Sequence, residues 1–291
     1  MRIGIRPTVD LVFKNIFGSP EHSHLTLSFL NSLLPLVDAP LASSIDIVNP
    51  FKLAEFSGDK EIAVDIHARD ETGRDFQVEM QVRSNPSLPD RMHDNWARIF
   101  MSQLRRGQEY QRHKPVVSVW ILGATCFADS SWLHAFRTCD LQRGTKLGES
   151  LLIVTIELGK RAALPDLSEE VIFRPGIDEW LYLLAHGEDI DPEGPRYGEV
   201  EKDIREAVEI METYSKAQKA RYTYDRRLEW ERLRAEEIRE IQESREAREN
   251  GRAEGLAEGR VEVARRLKER GMDLETIASI TQLELEVVKR L

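Results

Sequence analysis

Cysteine is almost missing from this 291-residue chain, where Cys126 and Cys139 are the only two. That excludes a disulfide-stapled scaffold and a cysteine-rich metal centre, and leaves reduced thiols in a cytoplasmic protein as the expectation. Aromatic residues amount to 7 %. No apolar run approaches the roughly 18 residues that a membrane span needs, so no membrane partner is expected. The start, MRIGIRPTVD, has neither the apolar stretch nor the small-residue cleavage site of a secretory leader. An excess of positive charge is missing too. The net charge of −10 argues mildly against a general binder of polyanions.

What is present is length and an uneven distribution of charge. The chain can bury one sizeable core and carry an appended segment. Residues 216–291 hold 18 Lys and Arg against 17 Asp and Glu, so the acidity belongs to the first part of the chain. Residues 83–114 are the exception within that part, with seven basic residues (Arg83, Arg91, Arg98, Arg105, Arg106, Arg112, Lys114) and three acidic ones (Asp90, Asp94, Glu109).

The basic stretch follows directly on the most informative segment, residues 61–83, EIAVDIHARDETGRDFQVEMQVR. Apolar and polar residues alternate on both sides of a Gly-containing turn, the pattern of a hairpin. Ile62, Val64 and Ile66 share one face of the first strand, with Asp65 opposite; Phe76, Val78, Met80 and Val82 share one face of the second, leaving Gln77, Glu79, Gln81 and Arg83 on the other. A two-residue turn at Thr72-Gly73 would pair Asp65 with Met80 and mix the faces. A three-residue loop or a bulge sets Asp65 opposite Glu79 or Gln81 instead, and that register is expected. Two readings stand side by side. The hairpin is either an ordinary amphipathic one with a wet acidic face, or two carboxylates converging to hold a small hard cation such as Mg²⁺.

Around the hairpin the pattern predicts helices at residues 9–17, with Thr8 as the candidate N-cap and an Asp10/Lys14 pair off its apolar stripe, and at residues 24–34. After the breaks at Pro86 and Pro89, residues 90–110 read as a helix with Met92, Trp96, Ile99 and Phe100 on one face. Arg91, Arg98 and Arg105 repeat every seven residues along another side, either as a solvated face or as a line of phosphate contacts. Residues 116–122 are a nearly continuous apolar run, and 151–158 have the same character, as in strands covered on both faces. Strands alternating with helices predict an α/β fold: a mixed central sheet flanked by helices, with a helical C-terminal extension. The Gly- and Pro-rich stretch at 186–198 suggests a division into residues 1–190, a charged helical segment 191–250, and a small helical tail 251–291. Gly251, Gly255 and Gly259, four apart, mark either a close helix contact or a break. The last helices have helix-turn-helix spacing, more common as a packing unit than as a DNA reader, and are a candidate homo-oligomer contact.

Several stretches together resemble the recombination-promoting nuclease and transposase family, a branch of the PD-(D/E)XK nuclease superfamily. They are DLVFKNIFG at 10–18, VDI with Asp65, VEMQ at 78–81, the series Arg91, Trp96, Gln103, Gly107, Tyr110, Lys114-Pro115-Val116, and the tail AEGRVEVARRL with GMDLETIASIT. The resemblance implies a nuclease-like core and a metal-dependent DNA endonuclease using Mg²⁺ or Mn²⁺, with DNA as partner and a role in recombination, mobile elements or defence; the alternative is a non-catalytic DNA-binding or assembly protein on the same scaffold. It implies that Asp65 is the central metal-binding acid, Glu79 the acid of the (D/E)XK element and Asp10 a further metal ligand. Gln81 stands where the wider superfamily has Lys, in the ExQ form that this branch resembles. Lys14, Arg91, Arg98 and Arg105 are the candidate phosphate contacts.

Overall fold

The computed structural model describes residues 2–48, 65–83, 86–104, 108–162, 176–194 and 200–291. Residues 61–64, which carry Ile62 and Val64 of the expected first strand, and Arg105 lie outside the described residues. The chain divides into two compact units, Met1–Arg227 and Leu228–Leu291.

The first unit is built on a six-stranded mixed sheet. Its strands are β1 (Ile45–Ile47), β2 (Ile66–Asp70), β3 (Asp75–Gln81), β4 (Val116–Leu122), β5 (Leu133–Phe136) and β6 (Leu151–Glu157), in the spatial order β1-β2-β3-β4-β6-β5. β1, β2 and β3 pair antiparallel, β3, β4 and β6 parallel, and β5 returns antiparallel on β6. All seven residues of β4 are buried, as its largely apolar composition requires of a central strand covered on both faces.

Helices α1 (Asp10–Phe17), α2 (Ser23–Leu33), α5 (Ile177–His186) and α6 (Lys202–Lys216) pack on one another and build a core with the sheet. Phe13, Phe17, Phe29 and Trp180 fill it in a chain of tilted and edge-on rings 5.1–6.1 Å apart. The Gly18 that closes α1 has no room for a side chain of its own: a Cβ there would lie 2.8 Å from the Lys14 carbonyl oxygen. The first unit runs past the Gly/Pro-rich stretch because α6 is amphipathic and buries Ile204, Ala207, Val208, Ile210, Met211 and Tyr214. α1 starts after Val9, and no side chain caps it, so the expected Thr8 cap is not made.

Helix α3 (Leu88–Ser102) covers the other face of the sheet, where Leu88 and Met92 meet Trp120, Leu122 and Ile153. It begins earlier and ends sooner than the pattern suggests. Pro89 sits in its first turn, where the missing N–H costs nothing, and Tyr110–Arg112 form a separate 3₁₀ turn. α4 (Leu158–Ala162) follows β6 directly.

α7 (Gln218–Glu269) carries the charged segment. In the second unit Trp230, Leu233, Ile238 and Ile241 are all about half exposed, in keeping with their ragged spacing. α8 (Leu274–Thr281) is capped by the Asp273 side chain, which accepts from Thr276 N–H, and follows Gly271 at φ +78°. α9 (Leu285–Arg290) completes a small core of Ala264, Ile277 and Val288. Nothing lies within 4 Å of a Cβ built on Gly251, Gly255 or Gly259, so they make no close helix contact among the described residues.

Candidate active site

The hairpin register decides what meets. Ile66 pairs with Val78 and Arg69 with Asp75, and continuing that ladder by one step sets Asp65 against Glu79. A three-residue loop makes the shift: Asp70 N–H reaches Arg74 O, Gly73 takes φ +86°, and the Asp70 carboxylate receives Thr72 and Arg74 N–H groups at 2.9 Å. Asp65 lies at the bend just ahead of β2 rather than within the strand.

The two acids interlock. Asp65 N–H donates to Glu79 Oε1 at 3.1 Å, and Met80 N–H donates to Asp65 Oδ2 at 2.9 Å. Glu79 Oε1 also accepts from Gln77 Nε2 at 3.1 Å. Gln77 is fixed in turn by Ser118 Oγ at 3.0 Å, and Ser118 by the Trp120 indole N–H at 2.8 Å. The polar face of the hairpin is therefore not wet. Asp75, Gln77 and Glu79 are buried beneath α3, which overturns the reading of an exposed acidic face.

Basic side chains close the site on two sides. Arg91, in the first turns of α3, donates to Gln81 Oε1 at 2.9 Å and lies 3.3 Å from Glu79 Oε2, with its guanidinium over the Trp120 ring. Gln81 Nε2 turns back to the Arg83 carbonyl at 3.0 Å. From α1, Lys14 Nζ sits 2.8 Å from Asp10 Oδ1 and 3.6 Å from Asp65 Oδ1. Arg227, near the start of α7, holds the other Asp10 oxygen at 2.6 Å.

Burial sets the electrostatics. Glu79 is pushed up to about 8, first by burial and then by the Asp65 charge, with Arg91 only partly opposing them. Asp65 is raised for the same first reason, against the Met80 N–H and Lys14. Burial works against the charge on Lys14, but the hydrogen bond and charge of Asp10, with Asp65 behind them, raise its pKa overall. Two carboxylates that repel each other out of water form a site short of positive charge.

Six of the sequence-derived candidates thus meet in one network: Asp10, Lys14, Asp65, Glu79, Gln81 and Arg91. Arg98 does not join it. It is exposed and paired with Asp94 at 3.2 Å, so the seven-residue line of arginines splits between the site and the surface. Gln77 and Arg227 belong to the network without having been picked out. Gln77 differed in no way from its neighbours in an alternating pattern, and Arg227 is one of many basic residues in a charged helix. Among the described residues, no three His, Cys, Asp or Glu side chains gather closely enough to hold a metal ion. Asp65 and Glu79 nonetheless present carboxylate oxygens, the hard donors that a divalent cation takes.

A mixed sheet with a carboxylate pair on its β2–β3 hairpin, flanked by the helix carrying Asp10 and Lys14 and by a crossover helix bearing Arg91, is the α/β arrangement of a nuclease-like protein. The family model for PD-(D/E)XK nuclease family transposases matches residues 7–240, and the chain belongs to that family. Neither the curated proteins nor the solved structures gave a match. No helix among the described residues is long and apolar enough to cross a membrane.

Proposed function

We propose that the protein is a metal-dependent DNA endonuclease that hydrolyses phosphodiester bonds, acting in recombination, mobile elements or defence. The interlocked, charge-deficient pair Asp65 and Glu79 carries this reading. Asp65 and Glu79 would hold Mg²⁺ or Mn²⁺, which would supply charge neutralisation and acidification of water, and Asp10 would join them as a further donor only on leaving Lys14 and Arg227. Gln81 holds the attacking water by hydrogen bonding but takes no proton from it, since an amide is no base at neutral pH. The attacking water gives a proton to bulk solvent and adds to phosphorus, the bond to the leaving sugar oxygen breaks, and solvent protonates that oxygen. Arg91 and Lys14, already beside the acids, turn to the phosphate oxygens and bind the charge that grows there.

Plasmid nicking with Mg²⁺ or Mn²⁺ tests this. Asp65→Ala and Glu79→Ala are each expected to lower the rate by roughly 10³-fold, in line with the loss of a principal electrostatic group. Equal cleavage by parent and variants removes the assignment. The second reading, a DNA-binding or assembly protein that does not cut, is favoured by Gln81 in place of Lys and by the ion pairs that Lys14 and Arg91 make with the acids. Salt-dependent binding with no nicking under either metal selects it. Gel filtration of the full chain tests self-association through the C-terminal helices.

A further inference from the structure

Four rings form a row at the end of the sheet remote from Glu79. Trp96 and Phe100, one turn apart on α3, stack at 5.0 Å with planes 16° apart. Phe100 stacks on His113 at 3.9 Å and 12°, and His113 on Tyr110 at 6.4 Å and 17°.

The inner part of the row is anchored. The Trp96 indole donates to Ser150 O at 3.3 Å. Gln103 Nε2 donates to Asp75 Oδ2 at 2.8 Å, while Gln103 Oε1 accepts Lys114 N–H at 2.9 Å and lies 3.4 Å from His113 Nδ1. The outer end is bare. Tyr110 is 86 % exposed, on a turn that buries none of its side chains. A ring held parallel to its neighbour but left in water does nothing for the core.

The charge beside it is of the opposite sign to nucleic acid. Arg112 and Lys114 are exposed, and neither has a carboxylate within ion-pair distance among the described residues. Glu109 is the one acid between residues 108 and 114.

We propose that this row is a stacking platform for the unpaired bases of a DNA single strand, with Arg112 and Lys114 on its phosphates. Every base offers a π-face, so such a platform takes single strands with little regard to sequence, whereas the bases of a duplex are already stacked. The inference rests on the nuclease reading only for the choice of DNA as ligand. It specifies the substrate as DNA with a single-stranded stretch. Phe100 stands nine residues along α3 from Arg91, roughly 13 Å at 1.5 Å per residue.

The test is fluorescence anisotropy of the full chain in EDTA, with fluorescein-labelled oligothymidine or a blunt duplex of equal length. A gel confirms that the DNA stays intact. Tyr110→Ala is expected to weaken single-strand binding about 5- to 100-fold, which corresponds to one lost base stack. Tyr110→Phe should stay within about twofold of the parent, and duplex binding should change by less than about twofold. Arg112→Ala should reduce the slope of log K against log salt by about 0.7. The proposal is overturned if the parent does not bind oligothymidine, if Tyr110→Ala binds it like the parent, or if both DNA forms lose equally. No cleavage is read, so failure here leaves the nicking result intact, and the reverse holds.

Discussion

At the turn end of the β2–β3 hairpin, Asp75 is fully buried and accepts from His67 and Arg69, each at 2.9 Å, and from Gln103 at 2.8 Å. At the open end, Glu79 is buried to the same degree and has Gln77, the Asp65 N–H and Arg91 around it. Burial works to raise both acids. At Asp75 the hydrogen bond and charge of His67, the Gln103 amide and Arg69 outweigh it, and the pKa falls. At Glu79 the neighbouring Asp65 adds to burial, and the pKa rises to about 8. Two acids four residues apart on one strand therefore do different things. One closes the hairpin onto α3 and the turn that follows it. The other is left short of positive charge beside a second carboxylate, which is the site proposed for a phosphodiester and its counterion.

The comparison can be broken by stability measurements. Asp75→Asn is expected to cost about 3 kcal/mol in urea unfolding, because it strands the partners of a buried charge. Glu79→Gln should cost less than about 1 kcal/mol without metal, since its buried carboxyl already favours the neutral form. Mg²⁺ or Mn²⁺ should raise the melting temperature of the parent and of Asp75→Asn, but not of Glu79→Gln. Equal costs at the two positions would dissolve the distinction.

Glu179 on α5 sharpens it from outside the site. It is 2 % exposed, and its Oε2 has no hydrogen-bond partner among the described residues. Burial, then the charge of Glu201, pushes it up to about 7. A carboxyl raised in the folded state stabilises fully below its unfolded value near 4.5, and that contribution is lost as pH rises through about 7. In melting followed between pH 4.5 and 8, where Glu79 and Asp65 also contribute to the parent's loss, Glu179→Gln should lose less than the parent by on the order of 2 kcal/mol. Parallel profiles would mean that burial alone does not raise an acid here. The smallest effect belongs to Arg98, where Arg98→Ala should change stability by less than about 0.5 kcal/mol, since its pair with Asp94 is about half exposed on both sides. A larger loss in thermal melts would place Arg98 in the fold rather than on its surface.

Much of this hairpin was legible in residue order. Alternation suggested the faces, and keeping Asp65 away from Met80 required a three-residue loop or a bulge, of which the structure forms the loop, with Gly73 at φ +86°. Strands β4 and β6 followed from their nearly continuous apolar runs. The burial of the polar face was not legible, because a period of two says which residues share a side but not what packs on it. α3 does so, and its cover turns Gln77, Ser118 and Trp120 into supports for Glu79. The turn of Arg91 toward Glu79 and Gln81 was equally hidden, since a seven-residue repeat treats it as equivalent to Arg98. Arg227 was the least legible of all, since it meets Asp10 without any local pattern that announces the contact.

That last contact also imposes an order in time. Asp10 and Arg227 are 217 residues apart in sequence. At about 5–20 residues per second, a ribosome that has made the first waits on the order of 10–40 s for the second. In the later part of that interval, once Glu79 has been made, a growing chain can carry Asp65 and Glu79 on a formed hairpin while Asp10 still lacks the arginine that holds it. The site on the first helix is finished only when translation has entered the long charged one.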